Sequence, residues 1–261
     1  MINKKWILAV IASMLISPVN AKSTDHDHDH DHDHDQGDNK DSFLISGSLA
    51  FLTEYYWRGT TQTKGKPAVQ GILRLDHDSG FYTQLFASNI HLDIGSSLEL
   101  DYYIGYNYQI NNDLKLNLQY LDVNYPDEDK TLPRVDFEEY SIGLMTSNLF
   151  NAQDELNLSF YYTPDYTFET GKMLRYEAGY RYPVAEQWNI YTQVAYNQFA
   201  NKNAYAVLWG TDGKKHFYDY KLGLDFNYQD FIFDLYYANA DVNKDLPSAD
   251  KTVVFSLTKL F

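Results

Sequence analysis

The sequence predicts an all-β fold: a single transmembrane antiparallel β-barrel of about twelve strands, preceded by a disordered His/Asp-rich tail. Three observations predict it. From Phe43 onward, apolar and polar side chains alternate in runs longer than soluble strands usually reach. The connections between those runs alternate between short and long. The chain closes on Phe261, the end of a strand with alternating side chains.

The first 21 residues read as an export signal. Met1 to Lys5 is a short basic region, Trp6 to Ser17 is apolar, and Pro18 to Ala21 ends in a small residue with Val19 at the −3 position. The apolar run is shorter than the roughly 20 residues a helix needs to span a bilayer. Residues 1–21 are therefore expected to be a removed signal peptide, residues 22–42 a tail, and residues 43–261 the barrel.

Removal of Lys4 and Lys5 with the signal takes the formal charge from −15 to −17. So acidic a chain is a poor partner for nucleic acid, whose phosphates call for a basic face. With no cysteine, the exported chain must be stabilised without disulfides.

In the tail, five histidines alternate with six aspartates from Asp25 to Asp35. The tract has no apolar side chains to offset the entropy of ordering, so disorder is expected. Neutral imidazole and carboxylate both ligate Zn²⁺, and Ni²⁺ or Cu²⁺ would also bind. The candidate ligands are His26, His28, His30, His32 and His34 with Asp25, Asp27, Asp29, Asp31, Asp33 and Asp35. A flexible repeat of this kind favours capacity over selectivity, and serves zinc uptake or buffering. The opposing reading is a solvated spacer.

The barrel strands are expected at 43–59, 66–77, 81–88, 97–110, 114–125, 135–147, 155–163, 173–184, 188–199, 216–228, 231–240 and 251–261. The run from Leu98 is the clearest: Leu98, Leu100, Tyr102, Ile104, Tyr106, Tyr108 and Ile110 share one face, opposed by Glu99, Asp101, Tyr103, Gly105, Asn107 and Gln109. Runs 155–163, 173–184 and 216–228 repeat the pattern. Short connections such as "DSG", "NND", "AEQ" and "QD" alternate with longer ones such as "PDEDKTLPR", "PDYTFETG", "ANKNAYAVLWGTDGKK" and "DVNKDLPSAD". Short turns at one end and long loops at the other are the pattern of a Gram-negative outer-membrane barrel, whose lipid is then a partner. A soluble β-sandwich or lipocalin-like barrel is the competing fold; strand length, tyrosine content, export signal and loop asymmetry favour the membrane. An even strand number places the tail in the periplasm with Phe261, where a terminal aromatic resembles the signal read by outer-membrane assembly machinery.

The stretches "TEYYWRGTTQTKGKPAVQG" (53–71), "HDSGFYTQLFASNI" (77–90), "LELDYYIGY" (98–106) and "DFEEYSIG" (136–143) resemble the TorF porin family, in the expected order and over more than a third of the chain. The resemblance implies an outer-membrane barrel with a channel function and no assigned substrate, and brings no catalytic residue.

On the faces assigned to the lumen stand Glu54, Arg58, Arg74, Asp76, Glu99, Asp101, Lys115, Arg175, Glu177, Arg181, Asp219, Lys221, Asp225 and Asp234. They line a polar pore for small solutes or ions, or they pair and brace a blocked lumen. Arg58 stands where a guanidinium would pin the first long loop. Tyr55, Tyr56 and Trp57 are expected in an interfacial aromatic belt. His77, His91 and His216 lack a serine motif, so no enzyme is expected. Two function classes follow: a channel for small polar solutes or metal ions, or a non-conducting barrel that acts as a structural or metal-binding interaction protein.

Overall fold

The structure, a computed structural model, describes residues 42–210, 213–242 and 251–261. The signal peptide and the metal-binding tract lie outside the described residues.

Twelve antiparallel strands close a ring. In chain order they are β1 (Phe43–Leu52), β4 (Ala68–His77), β5 (Phe81–Asn89), β6 (Leu98–Gln109), β7 (Leu114–Asn124), β8 (Phe137–Ser147), β9 (Glu155–Tyr166), β10 (Gly171–Ala185), β11 (Trp188–Phe199), β12 (His216–Tyr228), β13 (Phe231–Ala240) and β14 (Thr252–Leu260). Between β1 and β4 lies a small separate hairpin, β2 (Tyr56–Trp57) and β3 (Thr60–Thr61). The seam pairs β1 with β14, Ser48 opposite Leu260 and Leu52 opposite Ser256. Closure leaves no strand edge unpaired.

The period-2 pattern decides which face meets what. Ile45, Leu73, Ile104, Val194, Leu222 and Val253 are all more than half exposed on the outer wall. Their polar neighbours Arg74, Asp101, Arg175, Asp219 and Asp225 are each 4% exposed or less. An apolar exterior around a polar interior reverses the arrangement of a soluble barrel, and suits a wall immersed in lipid.

Three expectations need correction. The strand predicted at 43–59 ends at Leu52, because residues 53–67 leave the wall and turn inward as the β2–β3 hairpin. Tyr55 and Tyr56 accordingly lie inside, 5% and 3% exposed, and form no interfacial belt. The connection "PDYTFETG" is shorter than expected, since β9 runs on to Tyr166 and β10 begins at Gly171. The long loop after β11 also carries a helix, α1 (Lys202–Trp209). Asn201 caps it by accepting hydrogen bonds from the N–H groups of Asn203 and Ala204, which satisfies two donors of the first turn.

Candidate functional site: the lumen

The lumen divides into an apolar half and a polar half. At the long-loop end, Phe86, Tyr103, Val123, Phe137, Met173, Phe199 and Phe217 from the wall pack with Tyr55, Ile90, Ile94, Tyr125, Val135, Tyr205 and Trp209 from loops, hairpin and helix. The side chains that fill this end are therefore a hydrophobic core in their own right. Each fully buried one is worth about 1.5–3 kcal/mol relative to exposure.

The hairpin enters this core and ends at polar ground. Its two-residue turn, Arg58-Gly59, has positive φ at both positions, 46° and 89°. Such a turn matches the twist of a tight hairpin but is costly for a residue with a side chain. Arg58 has a specific reason to accept that conformation. Its guanidinium meets both carboxylate oxygens of Glu139 on β8, at 2.6 and 2.7 Å. It also lies over the rings of Trp57 and Tyr161, 4.4 and 4.8 Å from their centroids. Thr163 donates a further hydrogen bond to Glu139 at 3.0 Å. The hairpin base is tied by Glu54, which accepts from the Gly65 N–H at 3.1 Å and from the Thr252 hydroxyl at 2.6 Å. Tyr55 donates to Glu99 on β6 at 3.0 Å.

Most of the charges below the hairpin are paired. Arg175 reaches Glu177 at 2.6 Å, Asp219 at 2.5 Å and Asn197 at 2.9 Å. Arg181 meets Asp225 at 2.5 Å, and Asn189 and Asn227 donate to the same carboxylate. Arg74 makes two 2.8 Å contacts with Asp76 and sits 3.7 Å over the Tyr82 ring. Asp234 accepts from the Tyr191 hydroxyl at 2.9 Å. Asp101 accepts from Tyr103 at 3.3 Å through one oxygen only. Lys221 has Tyr236 beneath its ammonium at 5.2 Å and makes no ion pair among the described residues. Between hairpin and wall remains a cavity of about 60 Å³ lined by Arg58, Asp101, Gln193 and Lys221 among others.

All the strand and hairpin charges assigned from the sequence thus face inward, except that Glu54 sits in the hairpin base and not on β1. Reading the sequence missed Glu139, the partner of Arg58. It shares the inner face of β8 with Phe137, so the apolar residue points to the lumen and the usual inside-outside signal is absent. It also missed Tyr191, Gln193 and Asn197, inner-face residues of β11 that carry no charge. Among the described residues, no group of three or more histidines, cysteines or acids is placed to hold a metal ion. His77 Nδ1 lies 2.7 Å from the Ser79 hydroxyl, but it also takes the Ser79 backbone N–H at 3.2 Å, which makes it a cap on an exposed turn.

A family model described as a bacterial protein of unknown function, Gcw_chp, matches residues 36–261. The chain belongs to the Gcw_chp family. The match does not carry the TorF name of the sequence resemblance; the two readings meet in a bacterial barrel similar to outer-membrane porins. The NanC porin is similar at a TM-score of 0.53 and 9% identity, over 83% of this chain and 98% of that one. The KdgM porin in complex with disordered oligogalacturonate is similar at 0.50 and 8% identity, over 83% and 97%. At such identities the likeness is one of fold. No curated protein matches this Gcw_chp chain.

Proposed function

We propose that this Gcw_chp chain is an outer-membrane channel for small polar solutes or ions, held shut by its own hairpin in the conformation described. The observation that carries the reading is the division of the lumen. Below the hairpin the wall is polar on every strand, as a hydrated path requires; above it, an apolar core closes the way. With long loops outside and short turns inside, the closed end faces the exterior and the polar half the periplasm. The porin-like fold and the TorF resemblance of residues 53–71 support the same reading. Porins of this fold include one described with an oligogalacturonate, so a polar lumen of this kind is compatible with passage of a polar chain. No reaction is assigned to the chain.

The composition of Asp25–Asp35 supports a separate part of the proposal, binding of transition metals with zinc as the first candidate. A second reading rests on the pairing of the lumen charges: the barrel is non-conducting and its loops or tail bind partners.

Swelling of proteoliposomes in an isosmotic small polar solute separates the two. Swelling faster than in protein-free vesicles when residues 55–63 are replaced by a short Gly/Ser loop, with little or none from the full chain, supports the channel. No swelling with either chain leaves the non-conducting barrel.

A further inference from the structure

The side chain of Arg58 occupies a receptor built by the barrel wall. Glu139 on β8 accepts from it with both carboxylate oxygens, at 2.6 and 2.7 Å. Tyr161 on β9 offers the face of its ring, 4.8 Å from the guanidinium carbon. Thr163, two residues further along the same face of β9, donates to Glu139 at 3.0 Å and so holds the carboxylate in place. Glu139 and Thr163 are 1% and 0% exposed. Trp57, the second ring over the guanidinium, rides on the hairpin itself. A carboxylate presented side-on beside an aromatic face suits a guanidinium, whose planar fork of N–H donors engages both oxygens at once. An ammonium is a point charge without that fork, and fits less well.

Arg58 reaches this receptor at a cost. Its φ of 46° lies in the left-handed region, which disfavours any residue with a side chain. A free guanidinium bears no such strain. The ion pair also borders free volume, because the cavity of about 60 Å³ is lined by Arg58, Glu139 and Tyr161. Arg175, the other arginine on that cavity, is engaged by Glu177 and Asp219, which leaves Glu139 to one cation. That cation arrives on a segment separate from the ring of strands, so the receptor stays in the wall if the segment withdraws.

We infer that Glu139, Tyr161 and Thr163 form a binding site for solutes that carry a guanidinium group, and that Arg58 fills this site in the shut conformation as an internal stand-in. A guanidinium solute competes with Arg58 and favours release of the hairpin. The inference rests on the reading of the hairpin as the closure and names the solute class that opens it, but binding itself does not require that the barrel conduct. A tethered competitor acts at an effective concentration on the order of millimolar, so the full chain should bind such solutes more weakly than a chain without Arg58.

Isothermal titration calorimetry in detergent at constant ionic strength tests it, with methylguanidinium as the probe and methylammonium as the control. The full chain is compared with one whose residues 55–63 are replaced by a short Gly/Ser loop. The altered chain is expected to bind methylguanidinium about tenfold or more tighter than the full chain does, and about tenfold tighter than it binds methylammonium. Glu139→Gln in the altered chain should weaken methylguanidinium by about tenfold or more, the scale of a lost charged hydrogen bond. Arg58→Ala in the full chain gives a second test should the loop replacement fail to fold. Methylguanidinium, and not methylammonium, should raise its urea midpoint, and adding Glu139→Gln should abolish that shift. No methylguanidinium binding by a folded altered chain, equal binding of the two cations, or binding indifferent to Glu139→Gln overturns the site. Equal affinity of the full and altered chains overturns the role of Arg58 as its occupant. Binding that depends on Glu139 in a barrel that carries no current retains the site and removes the channel, while current from the altered chain without methylguanidinium binding does the reverse.

Discussion

The guanidinium of Arg58 grips both carboxylate oxygens of Glu139, 81 positions further along the chain, and this is the contact by which an inserted hairpin meets the far wall of its own barrel. Arg58 is 9% exposed and Glu139 1%. Neither charge has much water to fall back on, so each depends on the other.

Removal of one partner should therefore be costly and removal of both much less so. Arg58→Met is expected to lower stability by about 3–5 kcal/mol, because Glu139 is left buried and unpaired. Arg58→Met with Glu139→Leu should recover much of that loss. Urea unfolding of the two single variants and the double in micelles measures the coupling. Additive losses would show that the pair does not hold the hairpin.

Two tyrosines in the polar half lie over glycines on the neighbouring strand: Tyr82 opposite Gly105, and Tyr191 opposite Gly223. A methyl group at either glycine would overlap the ring itself. The rings are also committed at their hydroxyls, Tyr82 to Gln119 and Tyr191 to Asp234, so they cannot swing away freely. Gly105→Ala and Gly223→Ala should each destabilise the barrel by about 1–3 kcal/mol, the usual range for overpacking. Gly65→Ala meets no atom within 4 Å but has φ of 72°, so its cost should be that of backbone strain alone.

Asp154 organises the turn between β8 and β9. It accepts hydrogen bonds from the backbone N–H groups of Leu149, Phe150 and Asn151 and from the Tyr180 hydroxyl, at 2.7, 2.8, 3.1 and 2.8 Å. Burial raises its pKa, but these donors outweigh burial and hold the carboxyl below its usual range. A group with a depressed native pKa adds stability above its unfolded pKa and loses it as pH falls through the native one. Asp154→Asn should thus be less stable than the parent at neutral pH, and the difference should close in acid below the ordinary aspartate range. A difference constant with pH would contradict the assignment.

Zinc should bind the full chain and fail to bind a chain lacking Asp25–Asp35. Imidazole ligates only when neutral, so binding should weaken as pH falls through the histidine range. Equilibrium dialysis of both chains between pH 7.5 and 5.5 (chosen around an ordinary histidine pKa of about 6.5) checks both points. Equal uptake by the two would place any zinc elsewhere.

The barrel was legible in the sequence because lipid and lumen impose opposite demands on alternate residues. Strands such as β12 and β13, where that alternation is unbroken, were bounded to the residue. The hairpin was not legible. "TEYYWRG" continues the aromatic-rich run of β1, and a local pattern cannot show that these aromatics face an apolar core inside the barrel. The same core masks Glu139, since Phe137 shares its face. The inward charges were found, but their pairing was not. Arg175 with Asp219 and Arg181 with Asp225 are each 44 positions apart, reaching from β10 across β11 to β12, a separation set by the lengths of two strands and the loop between them and not by local spacing.

The central claim is that the 53–67 segment, packed with the loops and helix α1 of the apolar core, is needed to hold a polar lumen shut. Single-channel conductance in planar bilayers tests it most directly, comparing the full chain with one whose residues 55–63 are replaced by a short Gly/Ser loop. The account predicts a closed or rarely open full chain and steady conductance from the shortened one. A shortened barrel that remains folded and carries no current would contradict it.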